Sequence, residues 1–333
     1  MYDSRLTAHQ ERGQALLCAA RCVAIIAALL PAFASAQSTG RVYYGYAGGG
    51  VGDAMARLLV EALREETQQP FVMEIRAGGQ GKIAIDAVKA AMPDGNTLLF
   101  TPIANICILP HTQKNIGYDP LRDFTPVSMA GGFAQVLAVG PATPARSVAE
   151  FVTWAKANPK LASFGTPGNG NLPHFFGLLL ARATGIELIN VPYKGSAPAA
   201  IDLMGGQIPA AISGLGDFIA HARAEKVRIL GIASAERSSL APMVPTFREL
   251  GFPELDGRGW YGLFAPTGTN PNVVERINRI VTKAQEKPAV RERMQSLSLE
   301  VRLTTPTQFS EIIRVDHDRW GQVIRAAGFT AAN

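Results

Sequence analysis

What most constrains this 333-residue chain is a repeated order: a short apolar run, a glycine-rich turn, then a helix with one apolar face. Val42–Tyr46 reads as a first strand, and Asp53–Glu66 as a helix carrying Met55, Leu58, Leu59, Ala62 and Leu63 on one side. Between them lies Gly45-Tyr46-Ala47-Gly48-Gly49-Gly50-Val51-Gly52. Glycines at such a junction let the backbone approach a ligand closely. The free N–H groups of the following helix would then favour an anion, with no metal or cationic side chain required. A turn without a ligand fits the same residues, so the segment alone leaves both readings open.

The order recurs. Phe71–Ile75 is a second strand, Gly78-Gly79-Gln80-Gly81 a second glycine turn, 83–91 a helix and Leu98–Thr101 a third strand. After Asp119-Pro120 the pattern loosens until Val136–Val139. Ser147-Val148-Ala149-Glu150 has the form of a capping box, and its helix stops at Asn158-Pro159. Strand 162–165 leads through Thr166-Pro167-Gly168-Asn169-Gly170-Asn171-Leu172-Pro173 into a helix ending at Thr184. Strand 187–191, helix 197–204, strand 210–213, helix 215–224 and strand 229–233 complete a second series. Trp260–Ala265 is a further apolar strand, Asn270-Pro271 starts a helix to Lys283, and Thr305-Pro306-Thr307-Gln308 starts the last. Alternation of this kind predicts an α/β fold with a mostly parallel sheet. The order suits two α/β units joined by two crossings, near Val139–Pro141 and Trp260–Ala265.

Residues 1–36 read as a signal peptide: Arg5, Arg12 and Arg21, then apolar Val23–Leu30, then Ala34-Ser35-Ala36 as a cleavage site before Gln37. Removal would leave 297 residues, take Cys18 and Cys22, and lower the net charge of +5 by about one. Cys107 would be the sole thiol, flanked by Ile106 and Ile108 as a buried small hydrophobe, so no internal disulfide is expected. No later run is apolar enough to span a bilayer. Scattered charges without a basic stripe argue against nucleic acid.

Catalytic and metal signatures are missing from the sequence. The histidines are isolated, no G-x-S-x-G elbow occurs, Gly81-Lys82 is followed by Ile83 where a Walker motif needs Ser or Thr, and the glycines at 165, 168 and 170 lack dinucleotide-binding spacing. Neither enzyme activity, metal nor cofactor is expected.

Several motifs together resemble the Bug family, the extracytoplasmic receptors of tripartite tricarboxylate transporters. They are Ala47-Gly48-Gly49-Gly50 with Asp53 and Arg57, Arg76-Ala-Gly-Gly-Gln-Gly81, Pro93-Asp94-Gly95, Tyr118-Asp119-Pro120, Gly168-Asn169-Gly170 with His174, and Val191-Pro192-Tyr193-Lys194-Gly195-Ser196-Ala197-Pro198. Ser234-Ala-Glu-Arg237, Val244-Pro245-Thr246 and Trp260-Tyr-Gly-Leu-Phe-Ala265 follow in the same order, so the resemblance spans the whole chain after the signal segment.

The resemblance implies a type II periplasmic binding protein with a ligand cleft between two domains, residues 37–140 plus 261–333 and residues 141–260. It implies a small carboxylate as ligand, membrane permease subunits as partners, a monomer, and location in the periplasm. Its ligand residues would be Tyr46, Ala47, Gly48, Gly49, Gly50, Val51 and Asp53 in one loop, and Thr166, Gly168, Asn169, Gly170, Asn171 and His174 in the other. Thr101, Ile103, Lys194, Ser196 and Ser213 would flank them. Asp53 could equally cap its helix, His174 brace its loop and Lys194 sit at the rim; Arg57 and Arg76 read as braces and Trp260 as core or hinge packing.

Four departures from the family pattern stand out. Val51-Gly52 lengthens the first loop, Asn171-Leu172 replace hydroxyl residues, Lys82 replaces an asparagine at a helix start, and Ser213-Gly214 stand where an Asp-Asn pair is usual. Loss of that aspartate at Ser213 would ease binding of a second anionic group. The alternatives are a sensory receptor feeding a kinase, an enzyme on this scaffold, or a ligand-binding domain like those of some transcription factors; the last is disfavoured by the signal segment and the absence of a DNA-binding module.

Overall fold

The computed structural model describes residues 39–326 together with 328 and 329; the expected signal segment and its cleavage site lie outside them. Among the described residues nine strands form one hydrogen-bonded sheet, eight of them along the order β2-β1-β3-β9-β4-β7-β5-β6 and β8 off that path on β4. They are β1 (Gly40–Tyr44), β2 (Phe71–Ile75), β3 (Thr97–Pro102), β4 (Phe124–Val139), β5 (Ser163–Thr166), β6 (Ile189–Pro192), β7 (Ala210–Gly214), β8 (Arg228–Ile232) and β9 (Arg258–Pro266). The helices are α1 (Val51–Thr67), α2 (Lys82–Lys89), α3 (Leu109–Thr112), α4 (Val148–Ala157), α5 (Leu172–Thr184), α6 (Ser196–Met204), α7 (Leu215–Arg223), α8 (Pro271–Glu286), α9 (Pro288–Ser296) and α10 (Pro306–Ala326).

β4 divides the path. Phe124–Ala134 pairs antiparallel with β9, whereas Gln135–Val139 pairs antiparallel with β7 and, from Val136, with β8. The chain therefore passes from one half to the other between Ala134 and Gln135, upstream of Val139–Pro141, and returns at Gly257–Arg258. The two passages touch: Gln135 N–H donates to the Gly257 carbonyl at 3.3 Å.

Parallel pairing is confined to the two wings, β2-β1-β3 and β7-β5-β6, and the strands next to the divide run antiparallel. The expectation of a mostly parallel sheet is corrected to that extent. β4 and β9 enter against their neighbours because each arrives from the other half.

Helices cover both faces of each half. In the first, α1 and α8 bury Met55, Leu59, Leu63, Ile277 and Val281 against Val42, Leu98 and Leu263. On the opposite face Ile85, Cys107, Phe309 and Trp320 pack on Leu99 and Phe264. Phe151, Phe164, Phe176 and Phe247 fill one face of the second half, and Leu203, Phe218 and Ile232 the other. Cys107 is fully buried, which pushes its thiol above the ordinary value, as a small core hydrophobe would be.

β4 is irregular in its first half, with register shifts at Pro126/Ser128 and Met129/Gly131. A bulge takes a carbonyl out of the ladder, and a buried carbonyl needs another donor. Two amides on α8 supply it: Asn278 Nδ2 donates to Val127 O at 2.9 Å and Thr304 O at 2.7 Å, and Gln285 Nε2 donates to Met129 O at 3.1 Å. Asn278→Ala strands two buried acceptors and is expected to cost about 2 kcal/mol. Urea unfolding followed by tryptophan fluorescence measures this; a loss below about 0.5 kcal/mol would show that the bulge needs no amide.

Candidate functional site

The β1–α1 junction is built from contacts that only glycine permits. A Cβ on Gly45 would lie 2.5 Å from Gly81 Cα and 2.9 Å from Gly81 O, so the second glycine turn packs directly beneath the first. Asn105 ties them together: its Nδ2 donates to Gln80 O at 2.6 Å, and its Oδ1 accepts from Tyr46 Oη at 2.6 Å and Thr101 Oγ1 at 2.9 Å. The second turn and Thr101 are thus supports for Tyr46.

Helix α1 starts earlier than its apolar pattern implied. Gly50 is the N-cap and Val51 the first helical residue, so Val51-Gly52 lie in the first turn of the helix. Asp53 is therefore third in the helix and not its cap. Its Oδ2 accepts the Gly49 N–H at 2.9 Å and its Oδ1 accepts Arg57 Nε at 3.1 Å, closing the loop from inside the helix. A Cβ on Gly52 would overlap the Tyr44 hydroxyl and lie 3.0 Å from Tyr261 Cε1. Lys82 at the head of α2 is paired with Asp86 one turn on, at 2.6 Å. Arg76 pairs with Glu74 and lies over the Tyr43 ring, 4.8 Å from its centroid.

The β5–α5 loop is knit in a similar way. Asn171 caps α5 by accepting the His174 N–H at 3.1 Å, and His174 Nδ1 accepts the Gly170 N–H at 3.0 Å. Accepting there leaves the ring neutral, and burial also lowers its basicity. Thr166 Oγ1 sits 2.7 Å from Gly168 O and from Asn190 Oδ1.

These junctions meet around a cavity of about 310 Å³. Four helices present their first residues to it: α1 at Gly50–Gly52, α5 at Asn171–Pro173, α6 at Gly195-Ser196 and α7 at Gly214–Asp217. Tyr44, Phe133 and Tyr261 form an apolar wall, with Tyr261 stacked on Phe100 at 5.3 Å and 5.1 Å from Phe133 between ring centroids. Burial pushes the hydroxyls of Tyr44, Tyr46 and Tyr261 up, so all three are neutral donors.

Of the residues picked from the sequence, Tyr46, Gly50, Val51, Ile103, Asn171, Ser196 and Ser213 line the cavity. Ala47, Gly48, Gly49, Asp53, Thr101, Thr166, Gly168, Asn169, Gly170, His174 and Lys194 are outside the lining. Several of these brace the residues that do line it, and Lys194 is exposed to solvent. Tyr44, Gln135, Asp217, Tyr261 and Ser298 line it without having been singled out.

Asp217 bears on the premise of one expectation, that the corner at Ser213 lacks a carboxylate. Ser213 does not leave its corner without a carboxylate, because its hydroxyl donates to Asp217 Oδ2 while Ser196 Oγ donates to Oδ1 at 2.8 Å. Among the described residues Asp217 is the one charged side chain in the lining. Burial pushes its carboxyl above the ordinary value, opposed by hydrogen bonds from Ser213, Ser196 and the Gly214 amide that favour the charge. Among the described residues no group of three or more His, Cys, Asp or Glu could hold a metal ion.

Residues 55–329 match the tripartite tricarboxylate transporter family receptor description. The chain belongs to that receptor family. BugT of Bordetella pertussis is 35% identical over 281 residues, covering 84% of this chain and 86% of BugT. Among solved structures, a protein of R. palustris with adipate is similar at a TM-score of 0.82 and 28% identity, over 89% of this chain and 99% of that one. MatC of Rhodopseudomonas palustris with bound malate gives 0.78 and 29%, over 86% and 98%. The receptor family's fold, two α/β halves with a cleft between them, is the fold of this chain. Among its described residues no helix is long and apolar enough to cross a membrane.

Proposed function

We propose that this receptor works in the periplasm, where it captures a small organic acid and presents it to the membrane permease subunits of a tripartite transporter. One observation carries the reading. The N-termini of α1, from the first half, and α5, from the second, line one cavity that holds no cationic side chain among the described residues. Free backbone N–H groups and helix dipoles at such ends stabilise a carboxylate by themselves. The neutral Tyr261 hydroxyl adds a donor, and the aromatic wall suits a short carbon chain. Relatives in complex with adipate and with malate support the ligand class.

Because the cavity is walled by both halves, binding closes them on the acid and excludes water, with flexure at Ala134/Gln135 and Gly257/Arg258. In domain terms, the lobes would divide at these two passages. The mechanism involves no covalent chemistry.

The test is a thermal-shift panel of carboxylic acids at millimolar concentration, each beside its neutral amide. Ligand at about a hundred times its Kd adds about 2.7 kcal/mol, a rise of roughly 5 °C for a chain of this size. At least one acid is expected to give such a rise while its amide does not. A panel in which no acid moves the transition rejects the reading.

A further inference from the structure

The four helix N-termini around the cavity are not equivalent. Those of α6 and α7 already hold an anion: Asp217 accepts the Ser196 hydroxyl from the first residue of α6, the Ser213 hydroxyl from the end of β7, and a backbone hydrogen bond from Gly214, the cap of α7. At the α1 and α5 ends no carboxylate is part of the cavity lining. Asp53 turns to Gly49 and Arg57 and is outside the lining, and Asn171 is neutral.

A second observation lies at the same end as Asp217. Gln135 is paired with Gly214 across β4 and β7, so it stands beside the start of α7. It lines the cavity, only 1% of its surface is exposed, and its Oε1 has no hydrogen-bond partner among the described residues. A buried acceptor left in that condition is costly unless something in the cleft donates to it. The far end of the cavity therefore holds acceptors and a carboxylate, while the donors at the other end are chiefly the first-turn N–H groups of α1, since at α5 Pro173 has no N–H and Asn171 takes that of His174.

We propose that the cleft selects a monocarboxylate whose far end carries a hydrogen-bond donor, a hydroxyl or ammonium group, and discriminates against the matching dicarboxylate. This rests on the acid-receptor reading above. The ligand carboxylate takes the α1/α5 end and the donor meets Gln135 and Asp217. A second carboxylate at the far end would face a buried like charge with no free helix end to offset it. Selectivity here comes from a repulsive element as much as an attractive one.

The experiment is calorimetric titration with two matched series: butanoate, 4-hydroxybutanoate, 4-aminobutanoate and succinate, then hexanoate, 6-hydroxyhexanoate, 6-aminohexanoate and adipate. In at least one series a donor-ended acid is expected to bind about tenfold or more tighter than its dicarboxylate, a difference of about 1.4 kcal/mol. Asp217→Asn should close that gap by strengthening the dicarboxylate. Gln135→Leu should weaken the donor-ended acid by about tenfold relative to the plain acid of the same length. Should either variant fail to fold, the wild-type comparison and the other variant decide.

Wild-type protein that binds a dicarboxylate as tightly as its donor-ended partner in both series overturns the proposal. So does a gap that Asp217→Asn leaves intact, or a Gln135→Leu loss shared equally by all acids. Those results leave the acid-receptor reading standing. Failure of all eight acids to bind defeats that reading and this proposal together.

Discussion

Gly45→Ala is expected to destabilise the protein by about 3 kcal/mol, near the upper end for overpacking, and to lower Tm by roughly 6 °C. The new methyl would lie 2.5 Å from Gly81 Cα and 2.9 Å from Gly81 O. Side chains can escape such a clash by changing rotamer, but backbone meeting backbone cannot. Gly81 cannot retreat either: it caps α2 at a φ of 94°, and a Cβ built on it would lie 3.0 Å from Asn105 Nδ2. Asn105 in turn holds Tyr46 and Thr101. The strain would therefore spread through the supports of the cleft. Gly50→Ala is the control, because nothing lies within 4 Å of a Cβ there and its φ of −92° suits any residue. That variant should unfold within about 0.5 kcal/mol of wild type. Equal losses at Gly45 and Gly50 would refute the packing account.

The same contrast explains what could be read from the sequence. Local signals were legible where local chemistry decides the outcome. Thr305 and Gln308 form the reciprocal bonds of a capping box, at 2.9 and 3.1 Å. Ser147 accepts from Glu150 N–H as expected, although the Glu150 carboxylate reaches Arg146 N–H and not that of Ser147. The first half of β4 was invisible because Pro126, Gly131, Gly132 and two register shifts break its alternation, and the donors that repair it sit on α8 far along the chain. Helix α9 was missed because Met294 is its sole buried residue, so it has almost no apolar face to detect.

At the site, the glycine-rich junctions pointed to the right region, yet most of their residues support the cavity from outside. His174 and Asp53 both spend their polar atoms on loop N–H groups. The lining residues that went unnoticed depend on long-range register. Gln135 becomes relevant only once it is paired with Gly214, and Tyr261 only once β9 lies between β3 and β4. Asp217 carried a faint local signal, since an acidic residue in the first turn of a helix four positions after a serine can fold back on it. Nothing local could indicate that Ser196 would join it from another helix.

Gly52→Ala should have the largest effect on binding. The added methyl would overlap the Tyr44 hydroxyl and press on the Tyr261 ring. Tyr44 cannot swing away, because it is buried among the core residues of the first half, with ring centroids 5.6 Å from Tyr46 and 5.8 Å from Phe100. The start of α1 must move instead, and with it the N–H groups that would face the ligand carboxylate. Hydrogen bonds to an anion weaken steeply once distance and angle leave their narrow range. The affinity for the acid giving the largest thermal shift is expected to fall ten- to a hundredfold, about 1.4 to 2.8 kcal/mol. Tyr44→Phe removes the overlapping oxygen, so the double variant should recover most of the loss, and the two substitutions should be strongly non-additive. Calorimetry on the four proteins of that cycle measures the coupling. Additive losses would mean that Gly52 acts through something other than the Tyr44 hydroxyl, and unchanged affinity in the single variant would mean that the first turn of α1 does not hold the ligand.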